Sequence, residues 1–173
     1  MKRSSLRKVI TLFILLHATF SVAALPSYEE LQAAYIQKFI NYIEWPPIDD
    51  PYFIIAVFGN PKEFESLRKI FDDKKISNRQ AVVVHLPKLD LTNRYDIIHI
   101  KDIDTKTEKE LQKLENKPVL IISQDLKTIS KEVTINFFLE EEGKLRFDIN
   151  NQKALKSKIK INSRLLNLAR KLK

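Results

Sequence analysis

The residue types that ordinarily carry catalysis are few and scattered in this sequence. Beyond residue 24 there are two histidines, His85 and His99. Each sits among apolar, strand-forming neighbours, and neither belongs to a metal-ligand spacing such as His-Glu-x-x-His. Both read as structural histidines at strand edges. A nucleophilic serine needs a nearby base and usually a tight glycine elbow. None of Ser66, Ser77, Ser123, Ser130, Ser157 or Ser163 stands in one. Gly59 and Gly143 are the two glycines of the chain, too few for a glycine-rich phosphate loop. There is no cysteine, which excludes thiol catalysis, thiolate metal sites and disulfides. Asp72-Asp73 and Glu140-Glu141-Glu142 are acidic, but they read as solvated loops. The expectation is therefore no catalytic residue, no metal and no cofactor. The work of such a chain is binding.

The N-terminus says where that binding takes place. Lys2, Arg3, Arg7 and Lys8 form a basic start, Val9 to Phe20 is almost wholly apolar, and Ser21-Val22-Ala23-Ala24 is a run of small residues. This is the order of a cleavable export signal, read over residues 1–24. The apolar stretch is shorter than the roughly 20 residues a membrane-spanning helix needs. Without cysteine there is no site for a lipid anchor after the signal. The expected location is the periplasm. The formal net charge of +8 falls to +4 once the four basic residues of the leader are set aside. The remaining cations are interleaved with Asp and Glu, so no nucleic-acid footprint is visible.

Residues 25–173 have the length of one domain. Ser27 with Glu30 is a capping box, and the helix it opens is expected to run to about Ile43, where Pro46-Pro47 stops it. Tyr52 to Phe58 is a continuous apolar run, the signature of a strand buried on both faces. Pro61 opens a short helix marked by Phe64, Leu67, Ile70 and Phe71. A polar loop from Asp72 to Gln80 leads to strands at Ala81–Leu86 and Asp96–Ile100. Thr105 with Glu108 suggests a second capping box and a helix to about Glu115. Pro118–Ile122 is a fourth strand, followed by a short helical stretch from Gln124 to Ile129. Val133–Leu139 and Lys144–Ile149 flank a Gly-containing turn and read as an antiparallel hairpin. A helix from Asn150 or Asn151, a short strand at Lys158–Ile161 and a terminal helix capped by Ser163 complete the chain. The predicted class is α/β: one domain with a mostly parallel sheet of about six strands, flanked by helices, ending in an antiparallel hairpin.

Three surfaces stand out. The first helix has a narrow polar sector, and Tyr35, Phe39, Tyr42 and Trp45 are residue types that anchor interfaces. That helix is either buried between layers of its own domain or half-covered by a second chain. Gly59-Asn60 and Ser123 fall at the C-terminal edge of the predicted sheet, where open α/β folds place ligand crevices. Arg170-Lys171-Leu172-Lys173 either matches the negative end of the last helix or meets an anionic membrane face or partner. Arg146 and Asp148 point away from Phe147, to pair across the hairpin or to face a partner.

Leu31 to Pro46, Ile135-Asn136-Phe137 with Gly143 to Asn150, and Ala154 with Ile159 to Ala169, in this order and spacing, resemble the YfiR family of periplasmic proteins (YfiR/HmsC). The most specific features are the helix ending in Trp45-Pro46, the strand with Arg146, Phe147 and Asn150, and the terminus with Ser163, Leu165 and Leu166. The resemblance implies a periplasmic α/β domain that dimerises. It also implies repression of a membrane-bound diguanylate cyclase through the cyclase's periplasmic sensor part, which limits cyclic di-GMP and biofilm formation. Two departures are visible: the chain lacks the family's cysteine pairs, and Ser130–Val133 replaces the usual glycine before the Ile-Asn-Phe strand.

Overall fold

In the computed structural model, residues 25–141 and 143–173 are described. The export signal read over residues 1–24 lies outside them. The elements run α1 (Tyr28–Ile40), β1 (Ile43–Glu44), β2 (Tyr52–Phe58), α2 (Pro61–Phe71), β3 (Lys75–Ile76), β4 (Arg79–Leu86) and β5 (Ile97–Ile100). Then follow α3 (Thr105–Gln112), β6 (Leu120–Gln124), β7 (Ile135–Leu139), β8 (Leu145–Ile149), α4 (Asn151–Lys156), β9 (Lys160–Ile161) and α5 (Ser163–Leu166). Seven strands form one sheet in the order β3-β4-β2-β5-β6-β7-β8, with β3 and β8 antiparallel to their neighbours and the remaining pairings parallel. β1 and β9 form a separate antiparallel pair. The predicted α/β class and C-terminal hairpin are present, with one more strand in the sheet than expected.

Alternation along the strands explains why their sequences read as unbroken apolar runs. Phe53, Ile55, Val57, Ile97, Leu120, Ile122, Ile135 and Phe137 belong to one core cluster with residues of α1 and α2. Ala56, Ile98 and Ile121, one residue out of phase, belong to a second cluster with Tyr95, Leu111, Leu114 and Val133. A strand that buries both phases has no polar face to show. On the second face the connection from β4 to β5 contains no helix. It crosses from one end of the sheet to the other as a loop that packs Leu89 and Leu91 against the core.

Several predicted elements are corrected. α1 stops at Ile40, with Asn41 as its C-cap, because Ile43 and Glu44 pair with Ile161 and Lys160. Strand pairing across 116 positions thus overrides the local helical pattern. The expected loop from Asp72 to Gln80 holds a tight hairpin, whose turn residues Ser77 and Asn78 both have positive φ, 50° and 64°. That matches a type I′ turn without its usual glycine. Asp104, not Thr105, caps α3, accepting from the Thr107 amide at 2.7 Å. That bond holds the Asp104 carboxyl below the ordinary carboxylate range. Gln124 ends β6, and no helix follows it before β7. The terminal helix is a single turn capped by Asn162 rather than Ser163.

At the N-terminal ends of the parallel strands, Asp96 is wholly buried. Its Oδ1 accepts from Arg79 at 2.6 Å, and its Oδ2 accepts from Arg94 at 2.8 Å and from the Ile54 amide at 2.8 Å. Both arginines also donate to the Tyr52 carbonyl oxygen. One carboxylate therefore ties β2, β4 and the lead-in to β5 in register. Removing one member of such a buried network leaves the others uncompensated. Asp96→Ala should cost about 3–5 kcal/mol, measured by urea denaturation. A loss below about 1 kcal/mol would show that the network does not hold these strands.

Candidate functional site

The three sequence segments that carry the family resemblance meet in space. α1 lies over the hairpin strands through its aromatic side chains. Phe39 stacks on Phe137 with ring centroids 5.6 Å apart and meets Phe147 at 4.7 Å. Tyr35 contacts Phe39, Phe137 and Phe147 edge-on. Phe39 is only 4% exposed, so this part of the aromatic stripe packs within the chain. Trp45 stands edge-on to Phe53 and is partly buried. Tyr42 alone of the four projects outward, 38% exposed.

The remaining motif residues set up the sheet's outer edge. Asn150 caps α4 by accepting from the Lys153 amide at 3.0 Å. Leu165 is buried in the first core cluster and Leu166 packs against it. Ser163 opens α5, and the Asn162 amide donates to the Tyr42 carbonyl oxygen at 2.8 Å. Arg146 is exposed and pairs with Glu140 across the hairpin, with Nε 3.1 Å from Oε2. Asp148 is 1% exposed and takes a bidentate ion pair from Arg170, at 3.0 and 2.7 Å. The Arg170 guanidinium also lies 3.7 Å from the centroid of the Phe138 ring. The basic end is therefore not a helix terminus. Arg170 faces Asp148, and Lys173 Nζ donates to the Ile129 carbonyl oxygen at 3.2 Å. Sequence reasoning missed the Asp148–Arg170 pair, because leucines at helical spacing suggested a helix there; Leu168 and Leu172 are instead 67% and 55% exposed.

A second polar group lies at the opposite end of the sheet from Asp96. β2 connects through α2 to β4 on one side and is flanked by β5 on the other, so β2 and β5 form the switch point of the topology. There His99 on β5 and Glu63 in the first turn of α2 are both fully buried. His99 Nδ1 lies 2.9 Å from Glu63 Oε2, off the line of a well-formed hydrogen bond. Gln32 of α1 is also fully buried, and its side-chain amide has no hydrogen-bond partner among the described residues. One turn earlier on α1, burial and the nearby Asp125 push the Tyr28 phenol well above its ordinary range. The signal for His99 was a histidine inside an apolar strand; its neighbour Glu63, on α2 more than thirty residues earlier, had no sequence signal.

Of the residues expected at a ligand crevice, Asn60 caps α2 by accepting from the Lys62 and Glu63 amides, and Gly59 precedes it with φ of 83°. Ser123 is wholly buried and donates to Asn136 Oδ1 at 2.9 Å. A cavity of about 270 Å³ lies at the N-terminal edge of the sheet, lined by Leu91, Arg94, Tyr95, Ile98, Leu114 and Val119 among others. Among the described residues, no group of three or more His, Cys, Asp or Glu side chains is arranged to hold a metal ion. No helix of the described residues is long and apolar enough to cross a membrane.

The chain belongs to the YfiR/HmsC-like family, whose model matches residues 29–170. That family is one of periplasmic regulators of diguanylate cyclases, regulatory rather than catalytic. None of the curated proteins matches the chain.

The packing separates the aromatic residues into two classes. Phe39→Asp buries a charge against Phe137 and Phe147 and should unfold the domain, read as loss of a cooperative thermal transition by circular dichroism. Tyr42→Asp should leave that transition within a few degrees of the parent, roughly what a surface change below 0.5 kcal/mol allows. At the switch point, His99→Leu alone leaves the buried Glu63 side chain without its polar neighbour and should cost about 1–3 kcal/mol, while the double change with Glu63→Leu should recover most of it. Urea denaturation of both single variants and of the double variant measures the coupling, and a double-variant loss equal to the sum of the two single losses would mean that the two side chains are not coupled.

Proposed function

From its family membership, we propose that this protein is a non-enzymatic periplasmic regulator that binds the sensor part of a membrane-bound diguanylate cyclase and represses it. The match over residues 29–170 is the observation that carries the reading. It accords with the export signal read at the N-terminus and with the convergence of the motif segments on one face of the fold. Repression of this kind is a preference. The protein binds the inactive state of the sensor more tightly than the active one and so shifts the population. Near-complete switching takes a differential affinity of about 5.5 kcal/mol. A dimer presenting two copies of the same face supplies part of that through avidity. We place the dimer contact at the exposed Tyr42 and the neighbouring Trp45, and the cyclase contact at the hairpin and the tail beside it. Lower cyclic di-GMP, and with it less biofilm, is the cellular consequence.

A second reading draws on the cavity at the N-terminal edge of the sheet. Its lining is largely apolar, with Thr92, Asn93, Arg94 and Lys117 at the polar positions. That composition suits a small, mostly apolar solute carrying an anionic group. Such a protein would be a solute-binding module, and the crevice would sit at the opposite edge of the sheet from the one expected on sequence grounds.

Cellular cyclic di-GMP separates the two readings. Deleting the gene should raise it, and restoring the gene should lower it again. An unchanged level under several growth conditions contradicts repression of a cyclase. For the solute reading, a library of small amphiphilic anions should include members that raise the melting temperature of the purified protein, since a native-state ligand stabilises by mass action. Loss of that shift in Ile98→Trp, which fills the cavity, would place the ligand there.

A further inference from the structure

The outer edge of β8 is closed by the chain's own tail. Arg170 to Lys173 runs alongside it in parallel, with Ile149 and Leu172 as the bridging pair. The Arg170 amide donates to the Phe147 carbonyl oxygen at 2.9 Å and the Lys173 amide to that of Ile149 at 3.0 Å. In return, the Ile149 and Asn151 amides donate to the carbonyl oxygens of Lys171 and Lys173, each at 2.9 Å. These four main-chain bonds do the work of an added strand. They read no side chain, so any extended segment can make them.

What the tail lacks is an apolar anchor. Leu172 is 55% exposed and Leu168 is 67% exposed. Segments held mainly by backbone bonds near solvent, with few buried apolar contacts, open at the low end of a protein's range of local stabilities. Two side chains tie the tail down: Lys173 Nζ donates to the Ile129 carbonyl oxygen at 3.2 Å, and Arg170 holds an acidic partner. Arg170, itself 38% exposed, places its guanidinium between the buried Asp148 carboxylate and the Phe138 ring. If the tail leaves, Asp148 loses its forked partner. The tail is therefore replaced readily only by a segment that returns an arginine to the same place.

We propose that the β8 edge is a docking slot for an extended segment carrying an arginine, supplied by a partner protein, and that Arg170–Lys173 is a strap occupying the slot until that segment displaces it. The slot has two parts: a main-chain ladder along Phe147–Asn151, and an arginine subsite formed by Asp148 and Phe138. The proposal rests on the reading that the protein acts by binding, and it names the chemistry of the segment bound. A pairing side chain such as lysine, a compact and strongly hydrated point charge, cannot reproduce the forked bond to Asp148 and the flat contact on Phe138 together.

The test uses residues 25–173 and a fluorescent peptide, Leu-Ala-Arg-Lys-Leu-Lys, which repeats residues 168–173. Arg170→Gln loosens the strap without removing a backbone bond. The peptide should bind this variant at least about tenfold more tightly than the parent, the scale of one lost charge-assisted pair. Replacing the peptide's arginine by lysine should remove most of the gain. Amide hydrogen exchange should show protection of Ile149 and Asn151 on peptide binding. Absence of binding to a folded Arg170→Gln variant, or binding that leaves those two amides unprotected, overturns the slot. Should that variant fail to fold, exchange in the parent decides. Ile149 and Asn151 exchanging by local opening, ahead of the Phe137 amide, supports the strap; exchange of all three only on global unfolding refutes it. The cyclase reading fails separately. Peptide binding together with unchanged cyclic di-GMP on gene deletion keeps the slot and discards the cyclase, and the reverse pair of results does the opposite.

Discussion

Phe39, held between Phe137 and Phe147, joins the beginning of the folded chain to its end. α1 is the first element and the hairpin is the seventh and eighth strand, so this contact closes almost the whole sequence into one body. Everything at the outer edge depends on it. The hairpin must lie flat against α1 for Phe147 to face inward. Only then does Asp148, the next residue, point to the other face and meet Arg170. The β1–β9 pair repeats the closure a short distance away, tying the segment after α1 to the one before α5. A side chain that looked like an interface anchor is thus spent inside the domain, and the surface offered to others is what that packing presents.

The polar interior is arranged around the same sheet. Burying both faces leaves the strand ends as the sites where charge can be accommodated at modest cost. Asp96 sits at one end, satisfied by two arginines and an amide. Glu63 and His99 sit at the other, fully buried and 2.9 Å apart. Asp148 occupies the lateral edge. The first is fully bonded, which is what a structural clamp requires. The second leaves polar atoms without partners and lies at the switch point of the topology. The third is neutralised by a side chain on a segment that is otherwise weakly held. The gradation from fixed to exchangeable runs from the start of the strands to the edge of the sheet.

What the sequence revealed, it revealed through burial. Strands at Tyr52–Phe58 and Ile97–Ile100 were legible because two-sided burial leaves an unbroken apolar run, and the Gly143 hairpin because its turn chemistry is local. Ser27 with Glu30 was legible for the same reason: both halves of the capping box lie within one helical turn. Missed features are those whose cause is remote. Nothing near Ile43 announces a strand, because its partner is Ile161. Ser77-Asn78 lacks the glycine that normally marks a two-residue turn. The leucines of the tail carry helical spacing, yet Asp148, more than twenty residues upstream, draws Arg170 into an extended path. The candidate site was therefore half-visible: its motif residues could be named, but not the pair that shapes it.

The hairpin and the tail beside it are the face we propose for the contact with a membrane-bound cyclase. Photocrosslinking in living cells tests this directly, with a photoreactive amino acid placed at Leu139, at Leu172 or, as the control on the opposite edge of the sheet, at Lys75. The account predicts adducts from Leu139 and Leu172 that contain a membrane-bound diguanylate cyclase, identified by mass spectrometry, and none from Lys75. A cyclase adduct from Lys75 alone, or none from any of the three in cells whose cyclic di-GMP responds to this protein, would contradict it.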